Sequence, residues 1–426
     1  MKLPQNLKKM MGVSTLRKNI GLTLGRQVLA TFAQFLLVVL VARELGPEGN
    51  GYYAMAILVP TLLANFLNLG VGPATVYYVS RGEFSARQAV TGNLRLAAIV
   101  SAVGVAAMLP VLLIWGDEVF PGVPSALLYF GLISFPLTLA LSYLNTVLQG
   151  LEDFSAFNLT VLIPPYVNLI GVIIAFYLFG LGVAGALVAY IVSQLFGFLI
   201  VLLLLRKKNI VGKVWAADET RANYTRAVLG YGWKAHLSNV ITFVNYRSDI
   251  FLVNFFLSPA ATGIYVIAVQ ISEKLWMPSQ AVSTVLFPRL SAMKDRPAER
   301  LELTKKGFVL VAMITAGLSG VSAFALYQLV GPIFGDEYRD ALPAFLWLIP
   351  GVVLWAGARI QANCIAASGK PEWNMYVSLI VLAINILGNI VLIPKYGLVG
   401  AAIATSLAYV VDAGIKMCLV SKTAGL

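Results

Sequence analysis

Eight charged residues lie inside long apolar runs of this 426-residue chain: Arg26, Lys234, Arg247, Asp249, Glu273, Lys274, Arg359 and Asp412. Five are cations and three are anions, a surplus of two positive charges. A charge at the middle of a lipid-embedded helix costs roughly 2.5–3.5 kcal/mol even on a lenient insertion scale. Depth separates the eight. Lys234 and Asp412 lie near inner helix ends, where a long side chain snorkels to water. Arg26 and Arg359 sit about two turns from the inner face. Glu273 and Lys274 fall about 16 Å into their span, near mid-bilayer, and Arg247 and Asp249 lie in the outer half of theirs. Adjacent residues point about 100° apart on a helix, and residues two apart about 200°, so neither Glu273–Lys274 nor Arg247–Asp249 neutralises itself. Two readings follow. One is a hydrated, net-cationic cleft that holds an anionic ligand; the other is a set of interhelical ion pairs that glue the bundle.

Uncharged polar residues gather on the same runs: Gln34, Asn65, Asn68, Asn239, Asn245, Gln270 and Gln280, with Tyr77, Tyr78 and Tyr246 as aromatic partners suited to sugars. For any one of these the plainer reading is ordinary helix–helix hydrogen bonding.

The elements that carry these residues are membrane spans. The chain is 59% hydrophobic and 12% charged, about half the charge of an average soluble domain. Its mean hydropathy is +0.83. A span needs about 20 apolar residues, and a helix satisfies every backbone polar group without water. Twelve runs qualify: 19–42, 53–79, 91–115, 125–148, 156–179, 183–205, 229–256, 262–288, 307–330, 342–366, 374–394 and 397–418. They give a tail at 1–18, an N-lobe of spans 1–6 at 19–205, a linker at 206–226, a C-lobe of spans 7–12 at 227–418 and a tail at 419–426. The basic N-terminus followed by an apolar run is not a cleaved signal, because the run continues through Ala42 and has no convincing small-residue cleavage site. With the N-terminus inside, 23 Lys and Arg fall on inner loops and ends, and only Arg43, Arg339 and Lys395 fall outside. That bias sets both termini in the cytoplasm and accounts for the net charge of +12 without nucleic acid.

The two sets of six spans repeat one another. LGPEGNGYYAMA (45–56) matches LSPAATGIYVIA (257–268) at an offset of 212. GLGVAGALVAY (180–190) matches GLVGAAIATSLAY (397–409) at 217, and Asn168 and Asn385 keep that offset. Six spans return the chain to its starting side, so the copies are parallel, related by an axis along the membrane normal. Two such bundles leave a cleft between them. Prolines within spans (Pro60, Pro110, Pro136, Pro164, Pro165, Pro278 and Pro350) permit kinks. Cys364 and Cys418 form neither a disulfide framework nor a ligand cluster, and one histidine, His236, makes no multi-histidine metal site. No GxxxxGK[ST] loop or HExxH is present, so direct ATP use, a metalloprotease centre and a bound cofactor are not expected.

ARELGPEGNGYYAMA (42–56), NYRSD (245–249), GIYVIA (263–268) and LVGPIFGDEYRDALPAF (329–345), in this order and with twelve spans in two halves, resemble the polysaccharide transporter family. These are the Wzx-type O-antigen and exopolysaccharide flippases of the multidrug/oligosaccharidyl-lipid/polysaccharide exporter superfamily. The resemblance implies an all-α integral membrane fold, a V-shaped two-lobed bundle in the inner membrane. It implies translocation of an undecaprenyl-pyrophosphate-linked oligosaccharide by alternating access, coupled to an ion gradient, with no enzymatic step.

A pyrophosphate cannot cross hydrocarbon bare. Arg grips phosphate oxygens with two parallel bonds, and Lys supplies a compact charge. The expected substrate contacts are Arg26, Arg247, Lys274, Arg359, Asn68, Asn245 and Tyr246. Asp249 and Glu273, acids beside cations, are the expected binders of a coupling H+ or Na+. Expected partners are the lipid-linked oligosaccharide, membrane lipids and polysaccharide assembly proteins. The rival readings are a multidrug antiporter of the same superfamily, for which a net-positive interior is unsuited, and a membrane-embedded polymerase or ligase, which needs a large outer loop.

Overall fold

Twelve apolar runs, each able to bridge a hydrocarbon core of about 30 Å at 1.5 Å per residue, call for a bundle of long helices. The computed structural model describes residues 13–210, 219–293 and 296–423, and among these helix is the only regular structure. Parts of the expected tails and linker, with Lys2, Lys8, Lys9, Lys213 and Lys294, lie outside the described residues, as does the side chain of Lys234. The helices are α1 (Val13–Phe66), α2 (Val71–Ser80), α3 (Ala86–Val119), α4 (Ser125–Gly150), α5 (Phe154–Tyr177) and α6 (Val183–Lys207). They continue with α7 (Glu219–Phe256), α8 (Pro259–Lys274), α9 (Met277–Ala292), α10 (Pro297–Phe334), α11 (Ala341–Ala367) and α12 (Pro371–Thr423).

Among the described residues, eight segments are long and apolar enough to cross a membrane. Two of them span more than one expected run: Gly25–Phe66 joins most of span 1 to the first half of span 2, and Pro371–Lys422 contains spans 11 and 12. A straight helix of 54 residues, the length of α1, would reach about 80 Å. Gly46 (φ 66°, ψ −178°) bends it between spans 1 and 2, and Gly397 (φ 59°, ψ −136°) bends α12 between spans 11 and 12. Glycine takes that backbone without a Cβ penalty. Gly180, the repeat partner of Gly397, has φ 61°. The other two of the twelve spans are set apart by charge and by length. Span 7, in α7, carries Arg247 and Asp249, and span 8 is divided between α8 and α9, of 16 residues each, with Glu273 and Lys274 at the division.

Spans 2 and 8 are therefore interrupted where continuous helices over 53–79 and 262–288 were expected. At the first break Leu69 (φ 53°) and Gly70 (φ 68°) are both left-handed. The Tyr143 hydroxyl braces the turn by donating to the Asn68 carbonyl at 2.9 Å. At the second, Pro278 has no N–H for the Lys274 carbonyl. The turn tightens instead, Leu275 N donating to Ser272 O at 3.1 Å and Trp276 N to Glu273 O at 3.3 Å. α7 also begins at Glu219, ten residues before the expected start of span 7.

The chain divides into two compact units. The first comprises Met1–Glu44, Met55–Asp117 and Val123–Leu237. α4 is its core helix, with Phe135, Leu139, Tyr143, Leu144, Val147 and Leu148 fully buried. A buried polar knot ties it together. The Tyr224 hydroxyl lies 2.9 Å from Thr75 Oγ1 and donates to Asn93 Oδ1 at 2.9 Å, while Asn93 Nδ2 donates to the Tyr143 carbonyl at 3.0 Å.

The second unit comprises Leu45–Ala54, Glu118–Gly122 and Ser238–Leu426. Its helices approach at small residues, as membrane helices do. Gly351 N donates to Ser406 Oγ at 2.8 Å, and Val311, Ala356 and Ile360 form a buried cluster. Within this unit the repeat meets itself. A Cβ added to Gly51 would run into the Pro259 carbonyl, and one added to Gly263 would run into the Pro47 carbonyl. Asn50 Nδ2 donates to Gly263 O at 2.9 Å. Pro47 and Pro259, like Gly51 and Gly263, are partners at the offset of 212, so the contact is reciprocal, as across a two-fold axis.

Asp153 caps α5, accepting from Ala156 N at 3.0 Å, and pairs with Lys208 at 2.8 Å. Burial pushes its carboxyl up, but the Lys208 ammonium and the Ala156 N–H outweigh that and hold it below its ordinary value. A depressed carboxyl stabilises the fold above its unfolded value and stops doing so as pH falls through the folded one. Asp153→Ala should therefore cost about 1 kcal/mol at neutral pH. Thermal unfolding in detergent should show that deficit shrinking as the carboxylate range is crossed downward.

Candidate functional site

Five of the singled-out residues converge within the second unit: Tyr246, Arg247 and Asp249 on α7, Glu273 on α8 and Arg359 on α11. Arg247 Nη1 donates to Glu273 Oε1 at 2.6 Å. The partner that Arg247 lacks in its own helix comes from the interrupted span, and the two side chains stay 31% and 21% exposed. Asp249 is 3% exposed, and its carboxylate faces three donors. Ile250 N donates to Oδ1 at 2.8 Å, and the Tyr265 hydroxyl donates to Oδ2 at 2.8 Å. Thr405 Oγ1 lies 3.4 Å from the same Oδ2. From Thr405 a chain of polar groups continues through Asn385, whose Nδ2 donates to Thr405 Oγ1 at 3.4 Å, to Asn389, whose Nδ2 donates to Asn385 Oδ1 at 2.8 Å. Asn389 Oδ1 is buried with no hydrogen-bond donor among the described residues.

Four aromatic rings stand beside these groups. Tyr246 packs on Trp276 (4.9 Å between centroids), Trp276 on Trp355 (4.6 Å) and Trp355 on Tyr409 (5.6 Å). The Arg359 guanidinium lies 5.5 Å over the Trp355 ring, and its Nη1 is buried without a hydrogen-bond partner among the described residues. A cavity of about 20 Å³ opens among Tyr246, Asp249, Ser272, Glu273, Trp276, Thr405 and Tyr409. That is room for one water molecule or an ion of similar size, with two carboxylates on its wall.

The remaining candidates are placed differently. Asn245 is buried on α7 with Oδ1 lacking a donor among the described residues. Lys274 ends α8 with its side chain exposed. Arg26 and Asn68 belong to the first unit. There the Arg26 guanidinium lies 5.6 Å over Phe157, with Nε lacking a hydrogen-bond partner among the described residues, and Asn68 sits in the break of span 2. Asp412 does not snorkel. It is 2% exposed and pairs with Lys416 at 2.7 Å, one turn along α12.

Sequence reasoning did not single out Tyr265, Thr405, Trp276, Trp355 or Tyr409. Tyr265 carried a signal, as the tyrosine of the repeated GIYVIA motif. So did Lys416, four residues from Asp412, the spacing of a helical ion pair. Tyr409 closes the repeated segment 397–409, whereas Trp276, in the turn before α9, and Trp355, on α11, carried none.

A family model described as "Polysaccharide biosynthesis protein" matches residues 16–294, 279 of the 426 residues. The chain belongs to that polysaccharide biosynthesis family. Within it, the chain is 25% identical over 388 residues to the "Putative O-antigen transporter" of Shigella flexneri, covering 88% of this chain and 90% of that protein. It is 23% identical over 190 residues to the "Probable low-salt glycan biosynthesis flippase Agl15" of Haloferax volcanii, 44% of this chain and 40% of that protein. The chain thus spans two fifths of the length of that relative.

Solved structures share the fold, among them two transporters. An inward-facing multidrug resistance MATE transporter of the MOP superfamily superposes with a TM-score of 0.74 at 15% identity, covering 93% of this chain and 94% of its own. The lipid II flippase MurJ, in an inward closed conformation, gives 0.73 at 14% identity, covering 95% and 87%. The expected polysaccharide family and, among the described residues, the all-α architecture are borne out. Because MATE and MurJ superpose equally well, the fold by itself does not choose between their substrates.

Proposed function

We propose that this protein is a flippase that carries a polyprenyl-pyrophosphate-linked oligosaccharide across the inner membrane by alternating access, driven by an ion gradient. The observation that carries this reading is the cluster of Arg247, Arg359, Glu273 and Asp249 on membrane spans, beside four aromatic rings. Guanidinium groups suit a diphosphate, and aromatic faces suit the apolar faces of sugar rings. Membership in a polysaccharide biosynthesis family and similarity along most of the chain to an O-antigen transporter supply the substrate class.

In this reading Arg247, Lys274, Arg359, Asn245 and Tyr246 contact the headgroup, and Arg26 and Asn68 are the substrate contacts of the N-lobe. Asp249 binds the coupling H+ or Na+. The hydroxyls of Tyr265 and Thr405 at its carboxylate, and the amides of Asn385 and Asn389 that continue the chain from Thr405, offer oxygens of the kind hard cations take. The lobes are residues 19–205 and 227–418, both termini are cytoplasmic, and no bond of the substrate is made or broken. Polysaccharide assembly proteins receive the product.

The test is a leaflet assay of lipid-linked oligosaccharide in proteoliposomes. Losing a charge-assisted hydrogen bond is worth about 10–100-fold. Arg247→Ala should slow translocation by that factor with insertion intact, and Lys274→Ala by less, since its side chain is exposed. Unchanged translocation in both variants would remove the cationic site from the mechanism.

An aromatic box flanked by carboxylates is also how organic cations are bound, which favours drug/cation antiport as the second reading. Arg247 and Arg359 repel such a ligand. Ethidium efflux that survives in vesicles lacking any lipid-linked saccharide would support antiport.

A further inference from the structure

Among the described residues, the expected spans of the second unit hold two ion pairs of opposite character. Asp412–Lys416 is sealed, its side chains 4% and 10% exposed, and both partners sit on one helix. Arg247–Glu273 is open and joins two helices. Its contact runs through Nη1 alone, which also donates to the Tyr246 carbonyl at 3.4 Å. Nε and Nη2 make no hydrogen bond among the described residues.

The carboxylate is held by Arg247 and not by its own helix. Glu273 is the penultimate residue of α8, where the negative end of the helix dipole disfavours an anion. The next turn is tightened, because Pro278 has no N–H for the Lys274 carbonyl. Asp249, two residues from Arg247, is tied to Tyr265, Ile250 N and Thr405 and is not available for the same part.

We propose that Glu273 occupies Arg247 as an internal surrogate for the substrate phosphate, so that the anionic headgroup binds by displacing it and leaves when Glu273 returns. The proposal rests on the flippase reading and deepens it. The exchange keeps Arg247 paired at both ends of the cycle. An unpaired guanidinium in a low-dielectric site is costly, and a headgroup bound to an uncontested one would be released slowly. A phosphate also offers what the carboxylate does not use here, a second parallel bond to the guanidinium. Glu273 therefore trades affinity for release.

Inorganic pyrophosphate, added to the full-length protein in nanodiscs, is the probe. Trp276 and Trp355 border the site and report binding by fluorescence. Removing the competing charge in Glu273→Gln should tighten pyrophosphate binding by about 10–100-fold and slow translocation of lipid-linked saccharide in proteoliposomes. Glu273→Asp, which keeps the charge on a shorter arm, should fall between, and provides the measurement if the amide variant does not fold. Adding Arg247→Ala to Glu273→Gln should abolish the gain. Unchanged or weaker pyrophosphate binding in Glu273→Gln, or no binding by any form, overturns the exchange. If the wild-type protein still moves the lipid in that case, the flippase reading stands without it. If the wild-type protein moves no such lipid, both fall.

Discussion

Replacing either Gly51 or Gly263 by alanine should destabilise the protein by about 1–3 kcal/mol, and replacing both should cost clearly less than the sum. In each case the new methyl group meets a backbone carbonyl, that of Pro259 or of Pro47. No rotamer change can move a carbonyl aside, so the two segments must separate. Once the first methyl has pushed them apart, the second finds room. The Asn50 side chain, bonded to the Gly263 carbonyl, would lose its acceptor in the same movement. Thermal unfolding of the two single variants and the double variant closes the cycle. Strict additivity would mean that the glycines act separately and that the reciprocal contact is incidental.

Asp249→Asn should leave the protein inserted and folded but remove the stimulation of transport by an imposed Na+ or proton gradient. The amide keeps one acceptor for Ile250 N or Tyr265 while losing the charge that a cation requires. Asp249→Ala should be far more damaging. It strands the buried Tyr265 hydroxyl and the Ile250 N–H together, at about 1–3 kcal/mol for each unsatisfied group. Translocation in proteoliposomes, with and without each gradient, separates the variants from wild type. Gradient dependence that survives in Asp249→Asn would move the coupling site elsewhere, Glu273 being the next carboxylate on the cavity wall.

The fold was legible because lipid imposes one demand on every span. Apolar runs of about 20 residues gave the helices, and the gaps between spans 1 and 2 and between spans 11 and 12 fall where Gly46 and Gly397 bend α1 and α12. The interruptions of spans 2 and 8 were not legible. Prolines inside α3, α4, α5 and α11 are absorbed without a break, so Pro278 does not announce one. At the other break the decisive feature is Leu69 at positive φ, braced by Tyr143 from a distant helix.

At the site the charges were legible and their pairing was not. That Arg247 needed a partner from another helix followed from helical geometry. That the partner is Glu273 depends on how α7 packs against α8. The aromatic box is distributed over α7, the turn before α9, α11 and α12, and no local pattern joins such positions.

The two copies of the repeat have diverged in what they carry. At the offset of 212, Arg247, Asp249 and Glu273 correspond to Phe35, Leu37 and Thr61; at 217, Thr405 corresponds to Val188, while Asn385 keeps its counterpart Asn168. An apolar copy and an equipped copy thus share one chain. A symmetric ancestor would have presented such a carboxylate twice. This chain presents it once, so if Asp249 is where the driving ion binds, the gearing to the gradient belongs to the second copy alone.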